Sequence, residues 1–275
     1  MKQKILITGA DGLVGSRFVE LFSDKYDLLT PHYTQLDITS ESEVSKFGEN
    51  NDFDFLIHLA AYTNVDKAET EPDLVKKLNV EGTKNIFELA KSKNAKLIHI
   101  STDFVFDGNN PPFDEKSVPN PNGVYGVTKY EAEKIISDFG SIIRICFPYR
   151  KTFEPKKDFV RTLSGLLKAG TTLKMVTDST ITPTFIDDIA YGLDQLLHLP
   201  NKKIVHLVGS KSYSPFDAAL LIAKKVGANL DLVQKTTFAE FYTGKAPRPQ
   251  FSTMISSEND FWEMKNLEEG LDEIF

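Results

Sequence analysis

Cysteine is nearly missing from this chain: Cys146 is the only one in 275 residues. That excludes an intramolecular disulfide and fits a reducing cytoplasm. No apolar run approaches the ~20 residues that would span a bilayer as a helix. The opening MKQKILITGA has too short an apolar segment for a secretory signal and reads as a first strand. Low-complexity tracts and internal repeats are lacking, and 41% hydrophobic residues are enough for a large core, which argues against disorder. A basic excess is lacking as well. The net charge is -7 and the pI ≈ 5.4, which argues against nucleic acid or an anionic membrane as the main partner. A phosphorylated small molecule stays open, because a few local donors can hold a phosphate. The five histidines show no ligand spacing, so no metal site is expected.

Ile98 to Glu133 is the stretch around which the chain is organised. An apolar run ends in Ser101-Thr102-Asp103, a loop rich in Pro, Asn and Gly follows, and Tyr125 and Lys129 then stand four apart on an expected helix. That spacing puts both on one face. An ammonium beside a phenol favours the phenolate and lowers the phenol's pKa. Such a phenol can exchange a proton with a carbonyl or alcohol oxygen, and Thr102 could hold that oxygen. These are the parts of carbonyl/alcohol redox chemistry at a nicotinamide. A Tyr and a Lys four apart are common on any helix, so the rest of the chain must supply the context.

Lys4 to Thr8 reads as a strand, Gly9-Ala10-Asp11-Gly12-Leu13-Val14-Gly15 as a turn, and the residues from Leu13 to Phe22 as a helix. Strand, glycine turn and helix place a pyrophosphate on a helix N-terminus. Tyr26 to Thr30 is expected to be the second strand. It ends in Thr30-Pro31-His32, with no acid to repel a 2′-phosphate and no Arg to bind one, so NADPH is favoured slightly over NADH. Asp37-Ile38 could cover the adenine. Alternatively Asp37 caps the next helix, with Ser40 an equal candidate. Phe53 to Ala60 reads as a third, buried strand containing His58; Leu59, Ala60 and Ala61 end it and let a cofactor lie close. Tyr62 to Glu69 reads as a loop, Asn79 to Lys91 as a helix, and Lys96 to Ser101 as a fourth strand in which His99, like His58, is expected to be a core residue.

Ser141 to Phe147 adds another strand. The alternation predicts an α/β doubly wound parallel sheet of Rossmann type. Helices are expected over Lys156 to Ala169 (with Leu163, Leu166 and Leu167 inward), Asp187 to Leu199 and Ser214 to Val226, with a strand over Ile204 to Val208 and an irregular end from Thr243. The expected division is a dinucleotide-binding domain over residues 1–150, taking further elements from about 185–210, and a smaller, interleaved substrate-binding part over 151–275.

Several motifs resemble the extended short-chain dehydrogenase/reductase family, and within it the dTDP-4-dehydrorhamnose reductases. TGADGLVG at Thr8 to Gly15 is similar to that family's glycine loop. LAAYTNVDKAETEP, LNVEGTKNI, ISTDFVFDG, VYGVTKYEAE and PRPQFSTM resemble further family segments across most of the chain. The resemblance implies bound NADPH or NADH and reduction of a 4-keto-6-deoxy nucleotide sugar in carbohydrate biosynthesis. It makes Tyr125 the general acid, gives Lys129 the nicotinamide ribose, sets Thr102 on the keto oxygen, and has Asn79 support Lys129 through water. The expected cofactor contacts are Gly9, Asp11, Gly12, Leu13, Val14, Gly15, Asp37, Ile38, Leu59, Ala60, Ala61 and Tyr62, with Tyr125 and Lys129. Asp103, Phe147, Arg248 and Ser252 fall on the substrate side, with Arg248 able to bind the diphosphate.

The chain departs from the family at Phe147, where Trp is common, and at Phe251, where Asn is common. The ligands of the family's metal-assisted dimer have no match, so no metal carries over; a homodimer stays a candidate assembly. Two rival readings remain. One is a nucleotide-sugar epimerase of the same superfamily, which would consume no net cofactor. The other is a non-catalytic, cofactor-binding regulatory subunit, since fold alone does not assign function.

Overall fold

The computed structural model describes residues 2–136, 138–200 and 202–275. The chain begins as expected: strand β1 (Lys4–Thr8), helix α1 (Leu13–Phe22), β2 (Asp27–Leu29), α2 (Glu41–Asn50) and β3 (Phe55–His58). Two short helices, α3 (Val65–Ala68) and α4 (Pro72–Lys76), lead through a π turn at Lys77–Glu81 into α5 (Gly82–Ser92) and β4 (Lys96–Thr102). Helix α6 (Val124–Ile136) and strand β5 (Ser141–Ile145) follow. The remainder comprises β6 (Pro148–Tyr149), α7 (Phe159–Lys168), β7 (Leu173–Val176), β8 (Thr184–Phe185), α8 (Ile186–His198) and β9 (Ile204–His206). It ends with α9 (Pro215–Lys225), β10 (Val233–Thr236), α10 (Phe238–Phe241) and α11 (Leu267–Ile274).

The main sheet is parallel, in the order β2-β1-β3-β4-β5-β9. Its strands alternate between two buried faces. Ile5 and Ile7 join Phe18, Ile189 and Leu193 on one side, while Leu6 joins Leu56, Ile86 and Leu97 on the other. Period-two alternation with both sides apolar is what a sheet covered by helices on both faces requires. The order reverses between β1 and β3, and a crevice opens there beyond the carboxyl ends of the strands. A separate core, built on Val160, Leu163, Leu173, Ile222 and Leu271, holds the later elements together. The tail segment returns through bridges of Thr180 with Phe251 and of Phe113 with Met254, which brings Ser252 back toward the end of β4.

Four local expectations need correction. Residues 62–69 are not all loop: Asn64 caps α3 by accepting from the Lys67 amide at 3.0 Å. The helix expected from Asn79 begins instead as the π turn. Leu166 of α7 points outward, at 38% exposure, because the apolar stripe needs only Val160, Leu163 and Leu167. The end of the chain is not irregular throughout, since α11 carries a reciprocal Asn266/Glu269 capping box, a device of about 1 kcal/mol.

Candidate active site

A cleft of ≈ 780 Å³ lies over the crevice between β1 and β3. Its floor begins with the glycine loop. Gly9 has φ +71, and a Cβ there would lie 2.7 Å from the Ala60 amide nitrogen. At Gly15 a Cβ would lie 2.5 Å from the Gly9 carbonyl. Only glycine allows the loop to fold this tightly against β3. Gly12 caps α1 with no side-chain bond, and the first turn carries no acid. The amides of that turn are left for a ligand, and the helix dipole favours an anion there. This open cradle fits a dinucleotide pyrophosphate.

Along the cleft, Asp11, Leu13, Val14, Asp37, Ile38, Leu59, Ala60 and Ala61 all line the wall. Asp37 Oδ1 accepts from the Thr39 amide and hydroxyl, both at 2.8 Å, and Ser40 is the residue that caps α2. The end of β2 presents Pro31 and Tyr33 to the cleft and no carboxylate. Tyr62 does not line it. Its amide donates to Asn79 Oδ1 at 2.7 Å, and its hydroxyl donates to Glu71 at 2.5 Å.

Thr102, Asp103, Tyr125 and Lys129 meet at the inner end. Thr102 closes β4 and donates to Asp103 Oδ1 at 3.0 Å. Helix α6 lies directly on the turn that follows: a Cβ on Gly126 would reach within 2.2 Å of the Phe104 carbonyl oxygen. This close approach sets Tyr125 beside Thr102, with its ring edge-on to Phe104 at 5.4 Å. Burial pushes the Tyr125 phenol up to about 12, with the Thr102 hydroxyl acting in the opposite direction and the charge of Asp103 adding to the rise. Burial also pushes Lys129 down to about 8, opposed by Glu133. The sequence suggested a phenol lowered by its lysine, but desolvation dominates instead. The Lys129 ammonium donates to the Ile100 carbonyl at 2.7 Å and bonds His99 Nε2 at 3.1 Å.

Asn79 sits in the π turn without touching Lys129. It donates to the Tyr62 carbonyl and to Thr128 Oγ1, both at 3.2 Å, which ties the end of β3 to the residue beside Lys129. A π turn that re-aims one side chain at a functional site is a common use of that geometry.

On the far side, Asp103 is buried. Burial raises its carboxyl, and hydrogen bonds from Ser252, Thr102 and Cys146 partly offset the rise. Phe147 lines the cleft with φ +41, a left-handed conformation that is costly for an aromatic residue. Phe104 and Phe147 separate the cleft from a small recess lined by Tyr242, Arg248 and Ser252. Arg248 and Ser252 therefore lie behind this wall rather than on the main cleft. Arg248 stacks on Tyr242 at 4.3 Å and pairs with Asp66.

Lys156 and His99 are among the residues whose part in the site escaped the sequence reading. Lys156 lines the cleft and donates to Thr63 Oγ1 at 3.2 Å. Its signal was the unpaired Lys156-Lys157 run before α7. His99 contacts Lys129 from β4, and no local pattern could have exposed that contact. Among the described residues no His, Cys, Asp and Glu cluster could hold a metal ion, and no helix is long and apolar enough to cross a membrane.

Residues 3–273 match the family described as the RmlD substrate binding domain. The dTDP-4-dehydrorhamnose reductase of Aggregatibacter actinomycetemcomitans is 32% identical over 268 residues, covering 91% of this chain and 90% of the relative. The Bacillus anthracis dTDP-4-dehydrorhamnose reductase, solved in complex with NADP, superposes with TM-score 0.93 at 32% identity, covering 100% of this chain and 99% of that one. The methionine adenosyltransferase 2 subunit beta of Xenopus laevis is 26% identical, over 90% of this chain and 78% of the relative.

Proposed function

The chain belongs to the RmlD substrate binding domain family, and from that membership we propose that it reduces the 4-keto group of a nucleotide-activated 6-deoxysugar, of the dTDP-4-dehydrorhamnose class. It is an NAD(P)-dependent oxidoreductase, with NADPH favoured over NADH, and the reading places it in the cytoplasm. The observation that carries this reading is the meeting of Thr102, Tyr125 and Lys129 at the inner end of a cleft whose outer end is an uncapped helix N-terminus.

The amides of the first turn of α1 would hold the cofactor's pyrophosphate, with Gly9, Gly12 and Gly15 allowing its approach. Asp37 and Ile38 would hold the adenine end, and the missing carboxylate at the end of β2 would leave room for a 2′-phosphate. When bound, the reduced nicotinamide supplies the hydride for the ketone carbon. The Thr102 hydroxyl holds the keto oxygen. As the carbonyl π bond opens, the Tyr125 O–H bond breaks and its proton goes to that oxygen, leaving an alcohol and a phenolate. Lys129 steadies the phenolate with its charge and holds the nicotinamide ribose. Asn79 holds the Tyr62 backbone and Thr128, and so the helix turn that carries Lys129. Asp103 and Phe147 face the sugar. Arg248 acts from the recess behind, where its pairing with Asp66 must open before it can bind a diphosphate.

The test mixes purified protein with a dTDP-4-keto-6-deoxysugar and NADPH or NADH, and follows the absorbance of the reduced cofactor. Stoichiometric cofactor loss, reduced about 10²–10⁴-fold in Tyr125→Phe, is the expected result. Product formed without net cofactor loss would identify an epimerase. The likeness to methionine adenosyltransferase 2 subunit beta favours one other reading, a cofactor-binding regulatory subunit. Cofactor binding without turnover, on any 4-keto nucleotide sugar, would favour it.

A further inference from the structure

Behind Lys129 lie two buried histidines that the proposed reaction does not use. His99 and His58 lie side by side with ring centroids 5.2 Å apart and planes tilted by 34°, and both are essentially without exposed surface. The hydrogen bonds around His58 settle its tautomer. Thr83 Oγ1 gives its proton to the Asn79 carbonyl at 2.7 Å, so it can only accept from His58 Nε2 at 3.0 Å. His58 Nδ1 then accepts from the Thr8 hydroxyl at 2.6 Å. This ring is fully satisfied and ties the residue before the glycine loop to the turn carrying Asn79.

His99 is different. Burial and the nearby charge of Lys129 keep it neutral. Its Nε2 faces the Lys129 ammonium at 3.1 Å and accepts from it. The ring's one proton is therefore on Nδ1, which is buried and has no partner among the described residues. An unpaired buried N–H is costly. Leu97, two residues back and on the same face of the strand, shows that a buried hydrocarbon side chain suits this face without that cost. The exception at residue 99 is explained by the acceptor it offers.

We propose that His99 is a positioning residue for Lys129: its Nε2 anchors the amine at the cleft floor and keeps it protonated. Other titratable groups also face this pair. His58 comes from β3, Tyr125 and Glu133 from α6, and Asp103 from the turn after β4. Glu133 is held by Arg144 of β5 through bonds of 2.9 and 2.7 Å. Asn79 and Thr83, from the π turn and α5, are uncharged. Among the described residues two neutral acceptors touch the amine from the sheet, the Ile100 carbonyl at 2.7 Å and His99 Nε2 at 3.1 Å, and only the second belongs to a side chain.

The turnover arm of the test rests on the reductase reading; the binding arm does not. His99→Leu removes the acceptor, and His99→Gln restores one near the place of Nε2. NADPH affinity, by cofactor fluorescence, and kcat/KM are measured against pH in all three proteins, with Tm as the control for folding. In His99→Leu the alkaline fall of both quantities should move about one pH unit toward acid, about tenfold in the proton affinity of Lys129. In His99→Gln it should return toward the parent profile. Unchanged profiles in His99→Leu, or equal shifts in Leu and Gln, would overturn the proposal. If His99→Leu does not fold, His99→Met serves as the variant without a strong acceptor. A parent protein that binds NADPH but turns over no sugar would defeat the reductase reading alone and leave the binding arm decisive.

Discussion

Lys156 bonds Thr63, joining the loop after β6 to the loop after β3 beside the cleft. Thr63 is neutral, and no carboxylate lies within ion-pair distance of Lys156 among the described residues. Its charge is free for an anion, whereas Arg248 is committed to Asp66. Lys156→Ala should raise KM for the nucleotide sugar or for NADPH about five- to tenfold, as expected for one solvent-accessible charge-assisted bond. Separate titrations of the two ligands identify which pyrophosphate it serves, and kcat should change little. Unchanged KM for both would remove Lys156 from the site.

The pH profile of reduction should be set by Lys129. A phenol at about 12 stays protonated, and able to act as an acid, throughout the usual range. Lys129 is charged below about 8 and loses its proton above it. The rate should hold on the acid side of that value and fall as pH rises through it. A fall seen only near 12 would point to Tyr125 as the titrating group.

Folding stability should decline in acid. His58 is held at about 3 and His206 at about 4, both below the ordinary 6.5, because burial opposes their charged forms. The unfolded chain binds more protons than the folded one in that window. Stability from these groups is therefore complete above 6.5 and is lost as pH falls toward 4 and then 3, on the order of a few kcal/mol for His58. Urea midpoints across that range measure the slope; a flat line would contradict the burial of these rings.

Gly9→Ala should damage cofactor binding more than folding. It forces a Cβ into the Ala60 backbone and an L side chain into φ +71. The glycine loop must then move away from β3. NADPH affinity should drop at least about tenfold, read by cofactor fluorescence, while the far-ultraviolet circular dichroism stays that of a folded α/β protein.

The features legible in the sequence were those carried by local order. The glycine turn between an apolar strand and a helix, the four-residue spacing of Tyr125 and Lys129 and the buried strands all follow from periods of two and 3.6 and from short-range order. The Asn266-x-x-Glu269 box was equally local and could have been read as the start of α11. Tertiary structure alone decided which groups face one another across the sheet. His99 meets Lys129 from thirty residues away, and Arg248 meets Asp66 from 182 away. The depth at which α6 presses on the turn after β4 decided that burial, not the lysine, governs the Tyr125 phenol. Spacing along a chain specifies which side chains share a face. Desolvation and partnership depend on what packs against that face, which is known only after the chain has folded.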